Sequence, residues 1–326
     1  MQFGVLSTAG IARNSVIPAI QDSSHDVLAI ASRDADRAES VATALDIPRA
    51  YGSYDALLRD DDLDAIYNPL PNALHAEWTK RAADAGLHVL CEKPFAVDRA
   101  EAEAVFEYCE ERGVTVMEAF MYRFHPRTER AIEIARRELS GVNAVTSEFS
   151  FSMGDRAEDI RLDPDLAGGS LMDVGCYAVS AARLFLGEPD RVRAASVDRR
   201  ESGVDTGLAG ILEYDDGSLA RVASSFDTPV TQYYRVEAEN GWLEVDPAFD
   251  VPTDEALPIE YASDGEVHRE SIEAVDQYRL EVEHFAAAAA GETEARIDMD
   301  ETLANMAVID ALYRSAERTE SVAVES

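Results

Sequence analysis

The sequence predicts two domains of different class: an α/β domain built on a doubly wound parallel sheet, then an α+β domain with a large, mainly antiparallel open sheet and helices on one face. Three observations lead there. At 326 residues the chain exceeds one ordinary core and suits two packed domains. Its first part alternates short β-rich runs with helix-length amphipathic runs, the pattern of parallel strands joined by helical crossovers. From Gly141 onward β-rich runs follow one another with few helices between them, so those strands must pair mostly antiparallel. The spacing places the boundary between 122 and 123, with residues 1–122 in the first domain and 123–326 in the second.

In the first domain strands are expected at Phe3 to Leu6, Val27 to Ser32, Ala65 to Asn68, His88 to Cys91 and Thr115 to Ala119. Asp34 is an N-cap for a helix reaching Leu45, and Asn72 to Ala85 stops at Gly86, a natural residue just past a helix end. Asp98 followed by Glu101 resembles a capping box and opens a helix that stops at Gly113. In the second domain strands are expected at Ala144 to Ser152, Val192 to Val197, Gly207 to Tyr214, Ser218 to Ser225, Tyr233 to Ala238 and Trp242 to Val245. The turn Asp215-Asp216-Gly217 joins two of them as a hairpin. Helices are expected at Pro126 to Leu139, Ser170 to Leu186, Tyr278 to Ala290 and Met299 to Arg318.

Composition narrows the function classes. No stretch approaches the roughly 20 apolar residues of a membrane span, and the strand pattern begins at Gln2 with no leader before it, so a cytoplasmic protein is expected. Cys91, Cys109 and Cys176 cannot all pair and none lies in a Cys-x-x-Cys arrangement, which indicates neither a disulfide framework nor a metal site. The 64 acidic and 29 basic residues leave a formal net charge of −35, which repels nucleic acid and anionic membranes. The acids are spread along the whole chain, the pattern of an acidic coat screened by concentrated cation in a salt-accumulating cell. Lys80 and Lys93 are the only lysines; every other basic residue is arginine.

Chemistry gathers at the strand ends. The first strand runs into Ser7-Thr8-Ala9-Gly10-Ile11-Ala12 and then a helix, where a dinucleotide domain turns tightly beneath a pyrophosphate. Small residues, Ser7, Ala9 and Ala12, stand where that turn usually has glycine, with Gly10 displaced by one. The second strand ends at Ser32-Arg33, with Arg37 one turn on, where a domain binding the non-phosphorylated cofactor presents an acid to the ribose. Two guanidiniums suit a 2′-phosphate; the alternative is that they are surface charges at a helix start. Further along stand Asn68-Pro69-Leu70-Pro71-Asn72 with His75, and Cys91-Glu92-Lys93-Pro94. Ligands of doubly wound sheets collect beyond the carboxyl ends of the strands, so Lys93 is an ammonium aimed at a ligand. A salt bridge to Glu92 is disfavoured because neighbours on a strand point to opposite faces.

These motifs occur in one order with Tyr122-Arg123-Phe124-His125-Pro126 and with Gly168-Gly169-Ser170-Leu171-Met172-Asp173-Val174-Gly175-Cys176-Tyr177. The set covers nearly the whole chain and resembles the Gfo/Idh/MocA group, the family of glucose-fructose oxidoreductase and inositol dehydrogenase. The resemblance implies a Rossmann domain and a substrate-binding, oligomerising α+β domain. It implies cofactor contacts from Ser7, Thr8, Ala9, Gly10, Ile11, Ser32, Arg33, Arg37, Pro69, Leu70, Asn72, His75, Glu92, Lys93 and Arg123. It also implies a lysine beside the nicotinamide, Lys93, with Asp173 and Tyr177 as its catalytic companions on a helix where they lie four apart. Many inositol-type members have histidine where this chain has Tyr177, a departure shared with the branch that oxidises sugars at C1. Structural alternatives stay open: Asp173 as an acid favoured by the helix dipole, Tyr177 as a half-buried aromatic, Arg123 and His125 as caps of the helix at Pro126.

The activity implied is oxidation of an aldose, D-xylose first, at C1 to the lactone, with NADP as cofactor and NAD as the alternative. Either Lys93 or Tyr177 serves as the base. Other activities of the group are the rivals: sugar-to-sugar transfer, dihydrodiol or inositol oxidation, or cofactor-sensing regulation without catalysis. No metal, nucleic acid or membrane partner is expected. Val222, Phe226 and Val236 are expected on an open sheet face that a homodimer or homotetramer covers.

Overall fold

The structure is a computed structural model describing residues 1–156 and 158–325; Ala157 and Ser326 lie outside the described residues. The chain divides into two compact units, Met1–Met121 with Asp276–Leu303, and Tyr122–Val275 with Ala304–Ser326.

In the first unit β1 (Gln2–Leu6), α1 (Ile17–Gln21), β2 (Asp26–Ala31), α2 (Ala35–Ala44), β3 (Arg49–Tyr51), α3 (Tyr54–Leu57), β4 (Ala65–Asn68), α4 (His75–Asp84), β5 (His88–Glu92), α5 (Arg99–Glu110) and β6 (Val116–Ala119) follow in order. The six strands form one sheet in the order β3-β2-β1-β4-β5-β6, with every pair parallel. Chain order reverses between β1 and β4, and ligands of such sheets gather at that point. Phe3, Val5, Ile30, Ile66, Val89 and Leu90 are fully buried, as expected of strands covered on both faces. The caps are local. Asp34 accepts the Arg37 N–H at 3.1 Å and Asp98 the Glu101 N–H at 2.8 Å. Glu101 reaches back to the Val97 N–H at 3.0 Å, one residue before the cap itself. β3, three residues long, carries no readable alternation and was not expected from the sequence.

The second unit opens with α6 (Pro126–Arg137) and β7 (Val142–Ser152), followed by α7 (Cys176–Leu186), β8 (Arg191–Val197), β9 (Gly207–Glu213), β10 (Leu219–Ser225), β11 (Asp227–Ala238), β12 (Gly241–Val245), β13 (Leu257–Ser263) and β14 (Glu266–Ile272). With β15 (Val322–Ala323) these give a nine-stranded sheet, β14-β13-β12-β11-β7-β10-β9-β8-β15. β10 and β7 run parallel and the remaining neighbours antiparallel. α7 packs on β7, β10 and β11, and α6 on β12 and β13. Val222, Phe226 and Val236 are buried at 3 %, 0 % and 0 % exposure, which corrects their expected place on an open face. Alternation shows which side chains share a face; it does not say which face the helices cover.

The last two helices are α8 (Gln277–Ala289) and α9 (Met299–Arg318). The sequence reading ran the second domain without interruption from 123. In the structure α8 packs on α1, β5 and β6, so Asp276–Leu303 belongs to the first unit and the division falls inside α9. No helix among the described residues is long and apolar enough to cross a membrane.

Candidate active site

In the first unit the expected cofactor residues collect at the carboxyl ends of β1, β2, β4 and β5. Ser7 follows β1 with φ at +90°, a conformation that costs a side-chain-bearing residue about 1–2 kcal/mol. Its N–H donates to the Ala31 carbonyl at 2.9 Å, and its Oγ accepts the Ala9 N–H at 3.0 Å. Serine thus makes the turn that glycine usually makes and anchors the loop by its own hydroxyl. Thr8 is buried and Ala9 and Ile11 are half-buried. Gly10 is exposed, and a Cβ there would meet nothing nearer than Asn14 Nδ2 at 4.0 Å. The protein leaves that approach open. A π-type turn, Ala12–Val16, leads from this loop into α1, and such turns are frequent at functional sites.

At the end of β2, Ser32 is buried and its Oγ accepts the Asp34 N–H at 3.2 Å. Ser32 Oγ and Asp34 Oδ1 each accept a backbone N–H at this strand end. Arg33 and Arg37 are both exposed and both act on the Tyr54 hydroxyl, whose pKa burial raises and the two guanidiniums pull back. The donor set, loop N–H groups plus two guanidiniums, fits a dinucleotide bearing a 2′-phosphate.

Asn68, fully buried at the end of β4, donates to Thr79 Oγ1 at 3.2 Å and the His75 carbonyl at 3.3 Å. It also accepts the Leu70 N–H at 3.4 Å. It holds the loop of Pro69 and Leu70, both buried, with Asn72 half-buried beyond it. His75, expected to touch the cofactor, is 1 % exposed. Its Nδ1 lies 2.8 Å from the Pro94 carbonyl and its Nε2 2.7 Å from the Leu70 carbonyl. Burial lowers its pKa to about 4, with the Lys93 charge adding to the effect. The two ring nitrogens tie the Leu70 loop to the one that carries Lys93, and these carbonyls oppose the lowering. Glu92 and Lys93 are half-buried and Lys93–Pro94 is a cis peptide. Glu118, 1 % exposed in β6, accepts the Phe95 N–H at 2.8 Å and the Thr302 hydroxyl at 2.9 Å, fixing the chain two residues past Lys93. The sequence reading did not single out Glu118; an acid in an otherwise apolar strand is the signal that could have found it.

In the second unit the Gly-Gly motif is a backbone constraint. A Cβ at Gly168 would lie 2.4 Å from the Arg161 carbonyl, and one at Gly169, where φ is +125°, 2.3 Å from Asp205 Oδ1. Asp205 organises the turn. It accepts the Ser170 hydroxyl at 2.6 Å, the Leu171 N–H at 2.9 Å and the Tyr313 hydroxyl at 2.8 Å. Burial raises its carboxyl pKa while these donors draw it back.

Leu171–Gly175 is a π-type turn that runs into α7, so the four-residue spacing of Asp173 and Tyr177 crosses from a π to an α turn. The α-helical geometry assumed for a shared face does not hold over that interval. Asp173 accepts the Arg161 Nε at 2.7 Å, and Arg161 also reaches Asp159 at 3.2 Å. Asp173 is thus tied to the loop before the glycines, and Arg161 was missing from the sequence reading. Tyr177 is 4 % exposed, its ring centroid 5.4 Å from Phe249, 5.5 Å from Phe149 and 6.0 Å from Tyr122. Arg123 is half-buried. His125 caps α6 by accepting the Arg127 N–H at 3.0 Å. No cluster of His, Cys, Asp and Glu among the described residues could hold a metal.

Comparison with known proteins identifies the family. Residues 1–120 match the family model of an oxidoreductase family with an NAD-binding Rossmann fold, and residues 133–244 that of the GFO/IDH/MocA C-terminal domain. The chain is 59 % identical over 325 residues, all of both chains, to D-xylose 1-dehydrogenase (NADP(+)) 2 of Haloferax volcanii. Among solved structures it is similar to a 3-ketoreductase from Actinomadura kijaniata in complex with NADP and TDP-benzene, at TM-score 0.92, 31 % identity and 97 % coverage of both chains. It is also similar to an aldose-aldose oxidoreductase from Caulobacter crescentus, at TM-score 0.91, 28 % identity and 99 % coverage of both.

Proposed function

The chain belongs to the Gfo/Idh/MocA oxidoreductase family, and on that premise we propose that it oxidises an aldose, D-xylose first, at C1 to the lactone with NADP. The observation that carries the reading is the identity along the whole chain with an NADP-dependent D-xylose 1-dehydrogenase, with Arg33 just past β2 and Arg37 in the first turn of α2, both exposed, in support.

When bound, the nicotinamide supplies the hydride acceptor. The chain's own groups do the rest. The Ser7 to Ile11 loop receives the pyrophosphate, and Arg33 and Arg37 receive the 2′-phosphate beside Ser32. Either Lys93 or Tyr177 serves as the base that takes the proton of the C1 hydroxyl. Asp173 orients the sugar's hydroxyls, itself held by Arg161. Arg123 serves the cofactor, and His75 and Glu118 hold the Lys93 loop.

The test is a spectrophotometric screen of D-xylose, other pentoses, hexoses and inositol with NADP and with NAD at high and low salt. The reading requires NADP reduction that is fastest with an aldose and absent with inositol. Lys93→Ala and Tyr177→Phe should each lower kcat by about 10² to 10⁴, and undiminished turnover in either removes that residue from the chemistry.

The protein is further proposed to work in a salt-rich cytoplasm, on the strength of its net charge of −35. It is also proposed to assemble as a homodimer or homotetramer through the sheet face opposite the helices. A cavity of about 400 Å³ opens there, lined among others by Ala195, Ala209, Ile211 and Ala223. Light scattering across a salt series tests both: a monomer at high salt overturns the assembly, and full stability without salt overturns the salt adaptation.

A further inference from the structure

The loop that follows β12 is fastened against the ring of Tyr177. Continuing the register of β11 and β12, in which Tyr234 faces Val245, would set Pro247 opposite Gln232. Proline carries no N–H, and here the strand ladder gives way to a side-chain clamp. The Gln232 carbonyl accepts the Ala248 N–H at 2.8 Å. Gln232 Oε1 accepts the N–H of Phe249 at 3.0 Å and that of Asp250 at 2.7 Å, and its Nε2 donates to the Asp250 carbonyl at 2.8 Å. The guanidinium of Arg127, 2 % exposed, donates to the Pro247 carbonyl and holds the same loop.

Phe249, at the centre of this clamp, is fully buried. Its ring centroid lies 5.4 Å from that of Tyr177 with the planes at 43°, stands edge-on to Tyr122 at 5.1 Å, and stacks on Phe149 at 5.4 Å. Phe149 and Tyr122 each meet Tyr177 edge-on in turn, so three rings box the phenol. Tyr122 is itself tied down, its hydroxyl 2.7 Å from Ser180 Oγ on α7. All of these residues belong to the second unit. Tyr177 comes directly after the π-type turn Leu171–Gly175 and Cys176, where an α-helical period does not set the direction of the side chain; the rings around it do. In a close-packed interior a side chain walled on several sides keeps one rotamer. Apolar filling alone does not call for a glutamine whose oxygen and nitrogen are both committed to the backbone around one phenylalanine.

We propose that Phe249, held in place by Gln232, is a positioning residue that fixes the ring of Tyr177 in the orientation the reaction uses. Phe249 is too deeply buried to touch sugar or cofactor, so it acts through Tyr177. A ring fixed beforehand presents its hydroxyl to the C1 hydroxyl without first losing rotational freedom, and a misplacement of about 1 Å at such a group costs on the order of 10²-fold in rate. The catalytic consequence rests on the reading of Tyr177 given above; the fastening of its ring does not.

The experiment compares the full-length protein with Gln232→Ala, which removes no ring and loosens the loop, and with Phe249→Leu, which takes away one wall of the box. With D-xylose, kcat should fall about 3- to 10-fold in the first and about 10- to 100-fold in the second, while the NADP KM stays within about twofold. On a Tyr177→Phe background neither substitution should lower kcat further, because the group they place is gone; a merely structural role would add its loss there as well. NMR of the protein labelled with tyrosine carrying ¹³C at Cζ gives a readout independent of turnover, the Tyr177 signal being the one that Tyr177→Phe removes. That signal should be single and sharp in the parent and should shift and broaden in both variants. Additive losses on the Tyr177→Phe background, or undiminished kcat in both variants, overturn the positioning role. An unaltered Cζ signal in both overturns the fastening itself. If Phe249→Leu does not fold, Gln232→Ala decides alone. If Tyr177→Phe keeps its turnover, the functional reading fails, while the Cζ signal still decides whether Gln232 and Phe249 hold the ring.

Discussion

Replacing Asp205 with alanine should destabilise the second unit and lower kcat while leaving cofactor binding almost untouched. Asp205 is 9 % exposed and accepts from the Ser170 and Tyr313 hydroxyls and the Leu171 N–H. Ser170 keeps a second partner, Ser224 Oγ at 2.9 Å, so its loss is partial. The Leu171 N–H and the Tyr313 hydroxyl lose this acceptor inside the protein. A buried donor left without an acceptor costs about 1–3 kcal/mol. Two of them, less the relief of removing a buried carboxyl, give about 3 kcal/mol in all. Asp205→Asn keeps one acceptor oxygen and should cost about half as much. Urea unfolding at constant m-value measures both. Because Asp205 pins the turn leading into Asp173 and Tyr177, kcat should fall, while the NADP KM, set by the first unit, stays within about twofold. Asp205→Ala unfolding within 1 kcal/mol of the parent, or raising only the NADP KM, would refute the reasoning.

The other predictions are smaller in compass. Gly169→Ala should cost at least about 2 kcal/mol by thermal unfolding, because its Cβ would lie 2.3 Å from Asp205 Oδ1 at a φ of +125°. Arg33→Ala with Arg37→Ala should raise the NADP KM by about 10- to 100-fold and leave the NAD KM nearly unchanged, the signature of lost 2′-phosphate contacts; equal effects on both cofactors would make the arginines ordinary surface charges. Glu118→Ala should destabilise by about 1–3 kcal/mol by orphaning the buried Phe95 N–H, and kcat should fall with it. The fall of the His75 pKa from 6.5 to about 4 is worth about 3 kcal/mol. A depressed histidine stabilises fully above 6.5 and loses that contribution as pH drops toward 4. The stability gap between the protein and His75→Gln, measured by urea unfolding, should therefore shrink by up to that amount over this window; a constant gap would show that the ring does not titrate there.

By itself the sequence determined whatever depends on neighbours in the chain. Strand and helix periods separated the parallel from the antiparallel sheet, Asp34, Asp98 and Gly86 marked helix ends, and strand-end position singled out Arg33 and Lys93. Such signals are local, set by backbone geometry and by the period of burial along each element. Tertiary structure decided what depends on residues far apart. Glu118 meets Thr302 across 184 positions, Asp205 meets Ser170 across 35, and α8 turns back to bury Glu281 in the first unit. None of these has a sequence period. Which side of a sheet the helices cover likewise follows from packing, and that is why Val222 and Phe226 lie in the core when alternation alone allowed either face. Long-range pairing of buried polar groups is set by desolvation, which acts once distant segments meet, so no window along the chain records it.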